Sequence, residues 1–380
     1  MRTEPAAAPA VSLSHGAMSG GPSALSRRTV ATLADFRAVR DEYVSLVAAS
    51  ERPLSPFVTH RWLSAFWQAY ERQYQGRVLC LYAGDVLAAA VPLMYGKDVM
   101  AHMKVNRVSF LGGDWGWNEF PVRPEAAGAW AEELMGWLTK DQSAHWSFMQ
   151  VGPMRVDSAR TAELTRAFEA RGIAYKTLEK TGPYLKLAGS WDEFLAGKSR
   201  NFRRTIKRKE TAAEEAGITV RRIVNPTPDE MRATVFDVSR RSWQGVEGKA
   251  VASSEEGRRF YELLAAGQGE LTVDITAAYQ GDTCVAYLLG VTHGPVYHAF
   301  DTGFDPAFAE QSPGLLVHFA SMKELFGTGV EEFNFGFAHS YKERFEPENH
   351  AAVEFQLFRT RWSGAFGSLV DQAKRVLDRG

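Results

Sequence analysis

Cysteine is scarce in this chain: two, Cys80 and Cys284, occur in 380 residues, each inside an apolar, strand-like run. That argues against a disulfide framework and fits a reducing compartment, the cytoplasm. Net charge is nearly absent at −1, so no global field points to DNA or to a membrane surface, and any basic function must be local. No stretch reaches the roughly 18 uninterrupted apolar residues of a membrane span. The first 28 residues are rich in Ala, Ser, Gly and Pro but lack the apolar block of a signal peptide, and are expected to form a disordered leader. Phosphate-binding Walker sequences, dinucleotide glycine fingerprints and serine-hydrolase elbows are missing, as are His or Cys pairs at metal-ligand spacing. The expectation is an enzyme without a metal.

What is present reads as an α/β (α+β) chain long enough for two domains. Helical stretches near Leu33 to Ala49 and Thr59 to Tyr70 precede a hairpin around Gly84-Asp85, a third strand near Arg107 to Leu111, an aromatic loop, a helix near Glu125 to Leu138 and a strand near His145 to Val151. The second half repeats that order. Thr227 and Glu230 form a capping box, and Ser253 with Glu256 opens another helix. Leu271 to Tyr279 alternates as a half-buried strand, whereas Thr283 to Val291 is apolar on both faces and belongs in the middle of a sheet. A strand from Val296 to Gly303, a helix and a strand from Val330 to Phe337 form a crossover whose length favours a parallel pair, and Ala352 to Arg361 closes the sheet. The expected architecture is tandem domains, each a mixed, mainly antiparallel twisted sheet flanked by helices, over residues 29–180 and 181–380.

The crossover helix opens at Ser312-Pro313-Gly314. Serine is a good N-cap, proline suits the first helical position, and glycine lets a ligand approach the backbone. Free N–H groups of Gly314, Leu315 and Leu316 at the positive end of the dipole would suit a pyrophosphate; the alternative is an ordinary capped helix. At the equivalent place the first half has Phe120-Pro121-Val122-Arg123-Pro124, whose prolines remove donors. One cofactor site is the natural reading.

The run Pro183-Tyr184-Leu185-Lys186-Leu187, then Ser190-Trp191-Asp192-Glu193-Phe194, Ser199 to Arg208, Ser312-Pro313-Gly314 and Tyr341-Lys342 resemble, in that order, the GNAT superfamily of N-acyltransferases. The resemblance is to its tandem-domain branch of cellulose-biosynthesis-type acetyltransferases, related to the Fem peptidyltransferases, and it runs from about Phe36 to Trp362. It implies a sheet whose fourth and fifth strands splay so that the pantetheine arm of acetyl-CoA or another acyl-CoA inserts between them. The chain departs from the simplest signature, with no Arg/Gln-x-x-Gly-x-Gly/Ala run before the helix.

Under that resemblance, acyl transfer to an amine needs a base, carbonyl donors and an acid for the thiolate. His298 or Asp301 would supply the base; alternatively Asp301 caps the following turn and His298 faces solvent. Tyr341 would donate to the thiolate and Lys342 would hold a carbonyl or an anionic substrate group. Arg200, Arg203 and Arg204, with Lys207 and Arg208, lie along one helical face and would bind the CoA 3′-phosphate, an anionic lipid-linked sugar or tRNA, or else form a solvated face. Trp115, Trp117, Asn118 and Glu119 form the candidate acceptor wall, or else the tryptophans fold inward as packing. The expected activity is direct N-acyl transfer to a small-molecule or glycan-precursor amine, against two rivals: a Fem-like aminoacyl-tRNA-dependent transferase and a non-catalytic scaffold in polysaccharide assembly.

Overall fold

The structure, a computed structural model, describes residues 25–50, 55–100, 103–113, 116–142, 145–248 and 250–359. Among them one sheet of twelve strands runs through the whole molecule. The strands of the first half are β1 (Ser26–Val30), β2 (Gln75–Ala83), β3 (Val86–Met100), β4 (Met103–Phe110), β5 (Phe148–Arg155) and β6 (Tyr175–Lys186). Those of the second are β7 (Ile218–Val224), β8 (Thr272–Gln280), β9 (Thr283–His293), β10 (Val296–Phe304), β11 (Glu332–Asn334) and β12 (Glu348–Phe358). Across the sheet the order is β1-β2-β3-β4-β5-β12-β6-β11-β10-β9-β8-β7, antiparallel except for β4 with β5 and β10 with β11. This is the mixed, mainly antiparallel α/β fold read from the sequence.

Two of its features sit across the expected division of the chain. Residue 180 lies inside the unbroken strand β6, and the last strand, β12, inserts between β5 and β6, bonding Ala352–Phe358 to one and Glu348–Leu357 to the other. Of the expected leader, Ser26, Arg27 and Arg28 pair with Tyr82, Leu81 and Cys80, and residues 1–24 lie outside the described residues. A second join is made by helices. In α1 (His60–Tyr70) Trp62 meets Phe260 of the distant helix Glu255–Ala266 edge-on at 4.9 Å, and the buried Arg61 guanidinium donates to the carbonyls of Gly269 (3.2 Å), Leu271 (2.8 Å) and Leu264. Burial of each such large apolar side chain contributes about 1.5–3 kcal/mol, so the two halves share a core rather than abut.

The helices that bear on the site follow from local signals. In first-half order after α1 comes α2 (Ala129–Gly136), which crosses from β4 to β5. Next, α3 (Trp191–Ala196) carries a complete Ser190/Glu193 capping box, and α4 (Arg200–Glu215) is capped by Ser199 and buries Phe202 and Ile206. The helix Glu255–Ala266 is α5, capped by Ser254 one residue beyond the expected position. Last is α6 (Pro313–Leu325), whose Leu316, Phe319 and Met322 are buried over β8, β9 and β10. β9 is buried continuously from Cys284 to Val291 and lies between β8 and β10, as its two-sided apolar run demands. The cysteines are free and buried, and burial raises the thiols to about 12 (Cys80) and about 11 (Cys284).

Candidate active site

β10 and β11 pair for only three residues, Val296 with Glu332, Tyr297 with Phe333 and His298 with Asn334. Beyond His298 a β-bulge at Ala299/Asp301 bends β10 along β9, while the chain after Asn334 stays with β6, where the Phe335 and Ala338 N–H groups donate to Pro183 and Thr181. The two strands therefore part, which shortens the strand expected from Val330 to Phe337. Lys342 fixes the outer wall of this gap: its Nζ donates to the Phe335 (2.5 Å) and Phe337 (2.7 Å) carbonyls, and burial lowers it to about 8. Two of the three Lys342 ammonium donors are thus spent on the protein's own backbone, which leaves one for the substrate group it was expected to hold.

The start of α6 also differs in detail from expectation. Ser312 adopts the left-handed backbone (φ 54°, ψ 51°) and makes no side-chain cap; its carbonyl already accepts the N–H groups of Leu315 (3.0 Å) and Leu316 (3.3 Å). Of the three amides expected to be bare, these two are engaged, because the N-cap carbonyl accepts the first intrahelical bonds. What the sequence did not single out is Lys209 at the far end of the basic stripe. Its Nζ donates to Ser312 Oγ (2.7 Å), and its ammonium is disfavoured by burial and by the neighbouring cations Arg208 and Arg344. The helix start thus carries concentrated positive charge and no acid in its first turn. Arg200, Arg203 and Arg204 are exposed on α4, but Arg203 is committed to the carbonyls of Leu195, Ala196 and Lys198 at the end of α3, and Arg204 donates to Asn201 (3.4 Å).

Asp301 neither caps the next turn, a role taken by Asp305, nor lies bare. Its carboxylate accepts the hydroxyls of Tyr261 and Tyr287, each at 2.9 Å, and burial raises its proton affinity. Tyr341 is raised to about 12 by burial and by that same carboxylate, so it keeps its proton at neutral pH. His298 does not face solvent: it is 3% exposed, packs edge-on against Phe57 of the first half (5.1 Å) and is lowered to about 3 by burial. Its Nδ1 has no protein partner.

His298 instead lines a cleft of about 670 Å³ with Trp117, Glu119, Tyr184, Glu332 and His350. Trp117 and Glu119 of the expected acceptor wall are therefore brought to the strands of the second half. Asn118 is fully buried and ties the loop together, donating to the Gly113 and Gly152 carbonyls (3.1 Å each), so it is not part of the wall. Trp115 lies outside the described residues. Glu332, His350 and Tyr184 escaped notice as functional residues because they are far apart in sequence and meet only through strand pairing. No group of three or more His, Cys, Asp or Glu side chains able to hold a metal occurs among the described residues. No helix among them is long and apolar enough to cross a membrane.

Comparison with known proteins bears on the fold. FemX shares the fold with a TM-score of 0.57 at 10% identity, covering 87% of this chain and 97% of its own. A tandem GNAT protein from the clavulanic acid biosynthesis pathway gives 0.50 at 11%, covering 88% and 99%, and L-PGS from Bacillus licheniformis gives 0.52 at 13%, covering 90% and 97%. No curated protein matches the chain. Residues 200–343, from the basic helix through the loop after β11, match the family described as acetyltransferase (GNAT) domain, so the part of the chain that builds the gap and the cationic helix start is similar to a GNAT-type acetyltransferase domain.

Proposed function

We propose that this protein transfers an acyl group, acetyl in the first instance, from an acyl-CoA thioester to the amine of a small molecule, amino acid or glycan precursor. The observation that carries the reading is the parting of β10 from β11 together with a start of their connecting helix charged by Lys209. Phosphates favour such a helix start, and a gap between strands suits an extended thioester arm. Ser312, Gly314, Lys209 and Arg208 would hold the CoA phosphates, and the bound group would supply an acyl thioester. Neither buried cysteine is activated as a nucleophile, which supports direct attack by the amine. Tyr341, protonated beside Asp301, is the donor for the departing sulfur. Two free thiols fit a cytoplasmic enzyme, and glycan-precursor acylation is the setting suggested by the resemblance to cellulose-biosynthesis-type acetyltransferases.

A thermal-shift screen against acetyl-CoA, longer acyl-CoAs and free CoA tests this, because a ligand that binds only the folded state raises the melting temperature. A β-carbon at Gly314 meets Phe304 only at an ordinary 3.4 Å, so Gly314→Asp should fold while its carboxylate repels the phosphates. The expected result is loss of the acetyl-CoA shift; an undiminished shift rules out the site. The exposed cations of α4 favour one second reading, an aminoacyl-tRNA donor. That reading requires tRNA binding that weakens steeply with salt.

A further inference from the structure

The cleft on the sheet face away from α6 contains a built proton acceptor. Side chains alternate along a strand, so where Leu185, Phe333 and Tyr297 face the core under α6, their neighbours Tyr184, Glu332 and His298 face the cleft. His350 of β12 joins them. Its Nε2 bonds a Glu332 carboxylate oxygen at 2.9 Å, and the other oxygen of Glu332 accepts from Asn334 Nδ2 at 3.0 Å. Asn334 is itself fixed, accepting the Gly336 N–H at 2.8 Å. The imidazole lies flat on the Tyr184 ring, centroids 3.7 Å apart and planes 2° off parallel, and Tyr184 is held by its hydroxyl bond to Glu348 (2.9 Å). Trp117 closes over the pair from the first half, 6.1 Å from the His350 ring.

This arrangement has a chemical consequence. A neutral imidazole that donates Nε2–H to a carboxylate carries its lone pair on Nδ1, and the carboxylate stabilises the imidazolium that forms when Nδ1 takes a proton. The histidine is held by stacking, its tautomer by Glu332, and Glu332 by Asn334. His298 lacks such a partner and is enclosed by Phe57, which leaves it a neutral hydrogen-bonding group for the acceptor rather than a base.

We infer that His350 is the general base of the acyl transfer and that Glu332 is its positioning residue, with the amine acceptor seated in the cleft between Trp117 and His298. The inference rests on the acyl-transfer reading above. The acceptor ammonium gives one proton to His350 Nδ1, and the freed lone pair forms the C–N bond at the thioester carbonyl. The C–S bond then breaks, sulfur leaves with its electron pair, and the surplus proton on nitrogen passes to it directly or through the Tyr341 hydroxyl. The products are an amide, a thiol and an imidazolium that returns its proton to water. The acceptor is a primary amine, which the carboxylates of Glu332 and Glu119 attract. The charged and titratable groups around His350 are Glu332 from β11 and Glu331 just before it, His298 from β10, Tyr184 and Lys186 from β6, Arg155 from β5, Glu119 from the loop and Glu348 from its own strand.

The test measures thiol release from acetyl-CoA with ethanolamine, lysine or glucosamine and, separately, with hydroxylamine, which is already unprotonated at neutral pH. His350→Gln keeps an N–H donor for Glu332 and should lose about 100-fold or more with the primary amines, the range of general-base effects. With hydroxylamine it should stay within a few-fold of wild type. Glu332→Gln should reduce primary-amine transfer about tenfold and move the acidic limb of the kcat/KM profile to lower pH, since the imidazolium has lost its counter-ion. Equal losses with both nucleophiles, an unmoved limb, or undiminished transfer in His350→Gln would overturn the assignment. So would a wild-type protein whose melting temperature rises with acetyl-CoA but which releases thiol to none of these amines. Absence of that rise in the wild type would instead sink the acyl-transfer reading on which the assignment rests.

Discussion

The two halves of the sheet each contain one parallel strand pair bridged by a helix, and they use it in opposite ways. Between β4 and β5 the connecting segment lies back on the strands. Ala90 donates to Pro121, Arg123 to Ala88 and Asn118 to Pro153, and the Asn118 side chain seals the turn against Gly113 and Gly152. The helix that follows, α2, is eight residues long, starts at Gly128 and carries Glu132 in its first turn, an acid where an anionic ligand would need a cation. Between β10 and β11 the connection instead packs a long helix, α6, over β8, β9 and β10. The thirteen-residue α6 has no acid in its first turn, and Lys209 stands at its start. The same supersecondary unit thus has its loop bonded back to the strands in one half and carries a cationic helix start in the other, and the first half's loop places Trp117 and Glu119 in a cleft with Glu332 of the second.

The largest effect should come from disturbing the frame that holds β10 in place. Tyr297 donates to the buried Asp274 (3.1 Å) and accepts from Ser321 of α6 (3.1 Å), while Arg222 clamps Asp274 at 2.6 Å. A β-carbon on Gly290 would fall 1.9 Å from the Tyr297 hydroxyl. Gly290→Val should therefore expel Tyr297 and cost about 3 kcal/mol or more, read by urea denaturation, because overpacking and the loss of the Tyr297 hydrogen bonds to buried Asp274 and Ser321 act together. A loss under about 1 kcal/mol would mean that the network does not set the position of β10.

Acid sharpens the same contrast. Burial lowers His298 to about 3 and His318 to about 4, below the ordinary 6.5 that the unfolded chain regains. The unfolded state then binds more protons below about pH 6.5, so the stability these neutral imidazoles contribute is complete above that pH and is lost as pH falls toward 4. The slope is at most about 1.4 kcal/mol per pH unit for each group. His318→Gln should flatten the fall between pH 6.5 and 4.5 in denaturant titrations. A variant with the wild-type slope would show that His318 does not titrate in this way.

Smaller changes are expected at the helix start itself. Lys209→Gln should weaken acetyl-CoA binding about three- to tenfold by calorimetry, the scale of one charge-assisted bond at a partly exposed site. Arg204→Gln, on the exposed face of α4, should change it less than twofold. The reverse ranking would move the phosphates from α6 to the open face of α4.

Much of this frame was legible before any coordinates. The strand from Leu271 to Tyr279, the two-sided apolar run from Thr283 to Val291, the Thr227/Glu230 capping box and the parallel crossover all appear where local pattern put them, but the first, read as half-buried, is buried on both faces from Val273 to Ala278 because Asp274 and Thr276 also face protein. Local pattern failed where partners are remote. The strand expected from Val330 to Phe337 is cut to Glu332–Asn334 because Phe335 and Ala338 bond β6, and β12 begins early, at Glu348, because Tyr184 waits opposite it. Trp117 and Asn118 read alike as loop residues, yet one lines the cleft and the other is a buried strut.

The chain alone determined its elements, its two buried thiols, its basic helix and the Ser-Pro-Gly opening, because each depends on residues within a few positions of one another. Tertiary structure alone decided that Lys209 meets Ser312 across 103 positions and that Glu332 meets His350 across 18. Strand order and register bring those groups together, and neither is encoded in a local period.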